Sequence, residues 1–464
     1  MLCRVLAVWF LLVSAVLSDE MRHVRRGTPV PPQSDPFFLP PNGWEDAKPG
    51  TVLATRKISA GFAEKHKIKL QNAYQILYRT SGINPDTPMV TVTTVLVPDK
   101  PREGKLVMMM PYEDSNYIEC APSYHIQLGS PSTENSIQTL EELLWTSLLN
   151  DGWIVTLPDH EGPQSAFSSG MLEGYASLDA LRATLGLKDL NMPEDAPIVG
   201  LGYSGGAIAG GWAAALHGSY APELNVAGWA IGGTPVNLTD TVYGLSGGLF
   251  AGLSAAGIAG LVDSYPDVNK YVGSVITQDG NTALQYTREH CMADILIGLK
   301  NVQILNTGFM KNGNQLLSDN AIKGLLSQLT MGSDPKLTPK APMLMYHAQN
   351  DEVISYKYAK NTAQAWCKNG AKIIFQTYNG IEMGHVSTEV LNTPNVLGFV
   401  RDRMGGKQFP GECQFPVTAD PLWQPDVLGG KITETLNALK NFWGGVVGRG
   451  DQNLKEHIGS GKGV

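Results

Sequence analysis

The five residues Gly202-Tyr203-Ser204-Gly205-Gly206 carry the clearest chemical signal in the chain. A serine in a G-x-S-x-G pattern marks a sharp strand-to-helix turn that pushes a hydroxyl out of the backbone. Side chains at the flanking positions would collide in such a turn, and the serine itself is held in a strained conformation, so glycines stand beside it. The flanks fit that geometry. Ala196-Pro197-Ile198-Val199-Gly200-Leu201 reads as a buried strand, and the residues from Ala207 to Ala213 read as a helix rich in small side chains. The helix N terminus and the amide of Gly205 would then face a developing oxyanion. Gly244-Leu245-Ser246-Gly247-Gly248 satisfies the same pattern, but the polar stretch from Asn237 to Thr241 is no buried strand. Ser204 is therefore the candidate nucleophile and Ser246 a decoy.

A serine hydroxyl becomes a useful nucleophile only when a neutral imidazole takes its proton and a carboxylate holds that imidazole's tautomer. Where a strand-borne elbow presents the serine, as in α/β-hydrolases, the partners follow in the order Ser, acid, His. His217, His290, His347 and His385 lie beyond Ser204, with His457 in the tail. His385 sits in the Gly-punctuated loop Gly380-Ile381-Glu382-Met383-Gly384-His385-Val386, after the strand-like Ile373 to Tyr378, and is the candidate base. His347 falls in or just past a strand, and His217 lies too far along the elbow helix, so both read as structural. Asp351, in Gln349-Asn350-Asp351-Glu352-Val353-Ile354, leaves the strand that ends near Tyr346 and is the candidate acid. Its neighbour Glu352 competes for that role. Pro158-Asp159-His160-Glu161-Gly162 concentrates ionisable groups at another strand end, but adjacent residues do not easily converge on one atom. A turn that shapes the pocket wall is the better interpretation.

The elements that must hold these residues are strands alternating with helices. Met89 to Val97, Lys105 to Met110, Gly152 to Leu157, Val226 to Gly232 and Ala341 to His347 are apolar runs, as for strands buried on both faces. Helical segments at Thr139 to Leu149, Gly170 to Leu185 and Ala207 to Leu216 separate them, which implies a mostly parallel sheet in an α/β fold. The rhythm breaks between about Thr239 and Pro339, where a helical insertion should cap the carboxyl edge of the sheet. Gly244 to Val262 within it is uncharged, yet its Gly, Ala and Ser content suits a cap helix better than a membrane span. The apolar run from Val5 to Leu17 after Arg4 reads as a signal peptide over 1–18, followed by a pro-segment at 19–26 ending in Arg25-Arg26. The remaining layout is a first core part at 27–237 with a Pro-rich arm, a cap at 238–336, a second core part at 337–412, and a C-terminal flap and tail at 413–464. In that tail Ile432, Leu436, Leu439, Phe442 and Trp443 form an apolar helical stripe, read first as packing surface.

A net charge of −8 and a pI near 5.6 disfavour nucleic acid and anionic membranes as partners, because both need concentrated Lys and Arg. A secreted, extracellular chain would oxidise its cysteines. Cys120, Cys291, Cys367 and Cys413 remain once the leader is gone; of three pairings, Cys120–Cys291 with Cys367–Cys413 is favoured over free thiols. No His/Cys spacing suggests a metal, and no cofactor motif is present. Asn237-Leu238-Thr239 is a glycosylation acceptor.

Together with Tyr112-Glu113-Asp114-Ser115, Cys120-Ala121-Pro122-Ser123-Tyr124 and Asp351-Glu352-Val353, these motifs make the chain resemble the fungal secretory lipases of the lipase A type. The resemblance implies an α/β-hydrolase fold with a helical cap and C-terminal flap, and hydrolysis of acylglycerols at a lipid–water interface by a monomer. It also implies a triad of Ser204, Asp351 and His385, and an oxyanion hole from Gly205 and Asp114, whose amide or side chain would face the oxyanion. The same two disulfides are implied. Acyl transfer to an alcohol at the same intermediate, a general carboxylesterase, and a catalytically silent binding protein on this fold are the alternatives; the last would have lost a triad member.

Overall fold

The computed structural model describes residues 28–419 apart from 63–65, 69, 103, 132–138 and 382. The expected leader and pro-segment, and the tail from 420 onward with its apolar stripe, lie outside the described residues. The strands are β1 (Val52–Lys57), a small ribbon of β2 (Gly61–Phe62) and β3 (His66–Lys67), β4 (Leu70–Ser81), β5 (Pro88–Pro98), β6 (Leu106–Met110), β7 (Ile154–Pro158), β8 (Ile198–Tyr203), β9 (Val226–Gly232), β10 (Met343–Ala348), β11 (Ile373–Tyr378) and β12 (Val417–Thr418). Ten of them form one sheet in the order β1-β4-β5-β7-β6-β8-β9-β10-β11-β12. It is antiparallel through β1, β4, β5 and into β7, and parallel from β7 to β12.

The parallel strands are apolar throughout because both faces are covered. On β6, Leu106, Met108 and Met110 enter one core, whereas Val107 and Met109 enter the other. The first core packs against α3 (Gly170–Leu185) and α4 (Ser204–Tyr220). The second packs against α2 (Thr139–Asn150) and α12 (His385–Met404). Gly170 lets α3 and α4 close up: a Cβ there would stand 2.1 Å from Trp212 Nε1. A short α1 (Pro122–His125) follows β6, and α11 (Tyr356–Lys368) joins β10 to β11.

Between β9 and β10 the strands stop. In their place run α5 (Leu238–Leu245), α6 (Ala251–Ser264), α7 (Pro266–Val275), α8 (Gln278–Thr287), α9 (Met292–Gly298) and α10 (Asn320–Gln328). The Gly/Ala-rich text of this insertion has a packing cause. Cβ atoms at Gly252 and Gly260 would stand 2.5 Å from Ile295 O and 2.0 Å from Phe167 O, so α6 is pressed against its neighbours' backbone. Among the described residues no helix is long and apolar enough to cross a membrane. Cys120–Cys291 (Cα–Cα 5.6 Å) ties the segment after β6 to the insertion, and Cys367–Cys413 (6.1 Å) ties α11 to the chain entering β12.

Candidate active site

β8 runs into α4 without a linking loop, and Ser204 is the first residue of the helix, with φ of +50°. The expected helix start at Ala207 thus moves forward by three residues, to the serine itself. The glycines of the motif each clear a different obstacle. Cβ atoms at Gly202, Gly205 and Gly206 would stand 2.3 Å from Gly206 O, 1.7 Å from Asp114 Oδ1 and 2.0 Å from Met110 O. The turn is therefore wedged between its own helix, the Asp114 carboxyl and the end of β6. Gly205 lies in the first turn of α4, where amide hydrogens have no intrahelical acceptor.

His385 Nε2 lies 2.9 Å from Ser204 Oγ, and His385 Nδ1 lies 2.8 Å from Asp351 Oδ2. The three residues come from the carboxyl ends of β8, β10 and β11, where open α/β sheets gather ligands. Asp351 is fixed by its own turn: Oδ1 accepts the amides of Val353 (2.9 Å) and Ile354 (2.7 Å). Burial raises its pKa, but His385 and His347 outweigh that and hold it well below the usual carboxylate range. His347 Nε2 stands 3.2 Å from Asp351 Oδ2 and donates to Ile354 O, so this second imidazole braces the acid. For His385, burial disfavours the charged ring, but Asp351, joined by Glu352 and Glu389, lifts its pKa to about 9. Its place as first residue of α12 works against the charge, since a helix's positive end disfavours a cation by about 0.3–1 kcal/mol.

The backbone of His385 is gripped at both ends. Its amide donates to Glu352 Oε2 (3.0 Å), and its carbonyl accepts from Tyr203 Oη (2.6 Å). Tyr203 precedes the serine in sequence and also packs its ring on His385 and Tyr346. Gly233, at φ of +55°, leaves room for both rings, since a Cβ there would lie 2.7 Å from His385 Cε1. Sequence reasoning missed Tyr203; its position inside the motif was the available signal.

Asp114 is buried on the other side of the elbow, also at positive φ (+50°). That twist turns its amide toward Glu161 Oε1, which accepts it at 3.2 Å. The amide is thus engaged by Glu161, and the side-chain carboxyl lies against Gly205. Burial, then the charge of Glu173, raises this carboxyl's pKa to about 7, against the pull of His160 and His385. The Asp159-His160-Glu161 turn is a bracket under the same loop. Asp159 accepts from the amide (2.8 Å) and hydroxyl (2.5 Å) of Ser123, and His160 Nε2 donates to Pro111 O (2.7 Å).

Ser204, Gly205 and Asp114 open onto a cavity of about 50 Å³ walled largely by apolar side chains, among them Ile208, Leu238, Val242 and Ile258. Ser246 takes no part: its hydroxyl accepts the amide of Leu305 inside the insertion. His217 donates to Leu224 O, and His290 Nδ1 bonds Tyr286 O. Asn237, the expected glycosylation site, is half-buried and its side-chain oxygen caps α5 by accepting Asp240 N. Among the described residues no cluster of His, Cys, Asp and Glu is arranged to hold a metal ion. A half-buried serine in series with a buried imidazole and a buried carboxylate, opening onto an apolar cavity, can transfer an acyl group through a covalent intermediate.

The profile of a family described as secretory lipase matches residues 126–411. A secreted triacylglycerol lipase of Malassezia globosa is 60% identical over 94% of this chain and 93% of its own. One from Malassezia restricta is 44% identical over 94% and 92%. Among solved structures, lipase A of Candida antarctica superposes with a TM-score of 0.81 at 29% identity, covering 89% of this chain and 96% of that one.

Proposed function

The chain belongs to the secretory lipase family, and we propose that it is a secreted triacylglycerol lipase working through an acyl-enzyme on Ser204. The ester carbonyl sits over Ser204 with its acyl chain in the apolar cavity under the helical insertion, which acts as a cap. As Ser204 Oγ bonds the carbonyl carbon, its proton passes to His385 Nε2, and Asp351 stabilises the imidazolium. The negative charge on the former carbonyl oxygen faces the Gly205 amide at the start of α4, with Asp114 beside it. Collapse breaks the bond to the alcohol oxygen, and the imidazolium protonates that oxygen as the di- or monoacylglycerol leaves. Water then gives a proton to His385, attacks the acyl carbon and releases the fatty acid, restoring Ser204.

The observation that carries this reading is the unbroken series Ser204 Oγ, His385 and Asp351 at 2.9 and 2.8 Å, opening onto an apolar cavity. It also disfavours a silent binding protein, which has no use for a strained serine. Titrating fatty acid released from emulsified triacylglycerol tests it. Ser204→Ala should lower kcat by about 10⁴–10⁶-fold, and Ser246→Ala should stay near the parent. Equal residual rates in the two variants would remove Ser204 from the nucleophile's role.

A further inference from the structure

We propose that the acyl channel is shaped for a chain bearing an oxygen substituent, such as a hydroxyl, which pairs with Ser254 in the channel wall. The inference rests on the lipase reading above and names a substrate class for the same site. On α6, Ser254, Gly257, Ile258 and Leu261 all line the channel, and their spacing of three, four and seven residues puts them on one helix face. Ser254 is 2% exposed, and its hydroxyl has no hydrogen-bond partner. A helical serine commonly returns its hydroxyl to the carbonyl four residues back. Ser177 on α3 does this with Glu173 O at 2.8 Å, whereas Ser254 leaves its hydroxyl uncommitted.

A second hydroxyl lies on the neighbouring wall. A Cβ at Gly257, three residues on from Ser254, would stand 3.0 Å from Ser168 Oγ, so the glycine lets that hydroxyl lie close against α6. Ser168 also lines the channel and is held at φ of +71°, a left-handed conformation rare for a residue other than glycine and often found where function requires it. Elsewhere the wall is chiefly aliphatic. An unsubstituted alkyl chain seated along α6 leaves the Ser254 hydroxyl buried and unpaired, while a chain oxygen at the right depth satisfies it. The difference corresponds to about fivefold to hundredfold in kcat/KM.

The test is a set of octadecanoyl esters of one alcohol, with a single hydroxyl walked along the chain and the unsubstituted ester as reference. One position, or two adjacent ones, should be preferred by at least about fivefold by the parent enzyme. Ser254→Ala should abolish the preference, because the hydroxylated chain then has no partner in the wall. A flat series in the parent enzyme, or a preference that survives in Ser254→Ala, overturns the inference while leaving the lipase reading intact. Failure to cleave any ester of the series would instead remove the reading on which it rests.

Discussion

Asp351 and Glu352 stand side by side, and their difference of one methylene decides what each can reach. The shorter side chain folds onto its own turn and offers its second oxygen to the His385 ring, while the longer one extends to the His385 amide. Asp351→Asn should therefore lower kcat by about 10³–10⁴-fold, because the imidazole loses both its tautomer and its counter-charge. Glu352→Gln keeps a carbonyl acceptor for the amide and should cost less than about tenfold. Steady-state kinetics on a soluble ester checks the ranking, and the reverse order would move the acid by one residue. The sequential order Ser, acid, His could be read from the chain, since it follows from which strands end at the site. Asp351 could be favoured over Glu352 from the sequence but not separated from it, and the carbonyl clamp by Tyr203 and the engagement of the Asp114 amide by Glu161 could not be read, because each depends on how a loop turns in space.

At the scale of elements, the elbow depends on β6 as much as on β8 and α4. The three expected glycines are not equivalent: Gly205 meets a side-chain carboxyl, and Gly206 meets the backbone oxygen of Met110. A carboxyl can rotate away, whereas a strand end cannot. Gly205→Ala should thus fold but lose about 10²-fold or more in kcat by displacing Asp114. Gly206→Ala should be destabilised by about 1–3 kcal/mol and melt earlier. Circular-dichroism melts beside rate measurements separate the two, and a Gly206→Ala protein with unchanged melting would contradict this account of the turn. The buried parallel strands were legible because apolar runs bounded by Pro and Gly have few other destinations. β1 is largely half-buried and β12 is two residues long, so neither has the burial pattern that makes a strand readable. The Gly/Ala text of α6 was ambiguous for a physical reason: small residues serve close helix packing in water and in lipid alike.

At the scale of the molecule, six carboxyls around the site are buried and a seventh, Glu389, is half-buried. Glu113, Asp114, Glu141, Asp159, Glu161, Glu173 and Glu389 all have raised pKa values with burial as the first cause, reaching about 7 for Asp114 and Asp159 and about 8 for Glu389. A carboxyl whose folded pKa lies above its unfolded value of about 4 contributes stability that is complete below that value. The contribution is lost as pH rises through the folded pKa. His385, raised to about 9, acts in the same direction above its unfolded value of about 6.5, whereas Asp351, lowered, withdraws stability only as pH falls below about 4. The melting temperature should accordingly be highest near pH 4–5 and fall between about pH 5 and 8; a flat or rising profile over that window would contradict the protonated cluster. All of this supports one central claim, that Ser204 is the nucleophile activated by His385. Intact-mass and peptide analysis after a long-chain alkyl fluorophosphonate tests it most directly. One adduct per chain on Ser204, lost in Ser204→Ala and strongly slowed in His385→Ala, is the expected result. A label on another side chain, or none in protein that hydrolyses triacylglycerol, would contradict it.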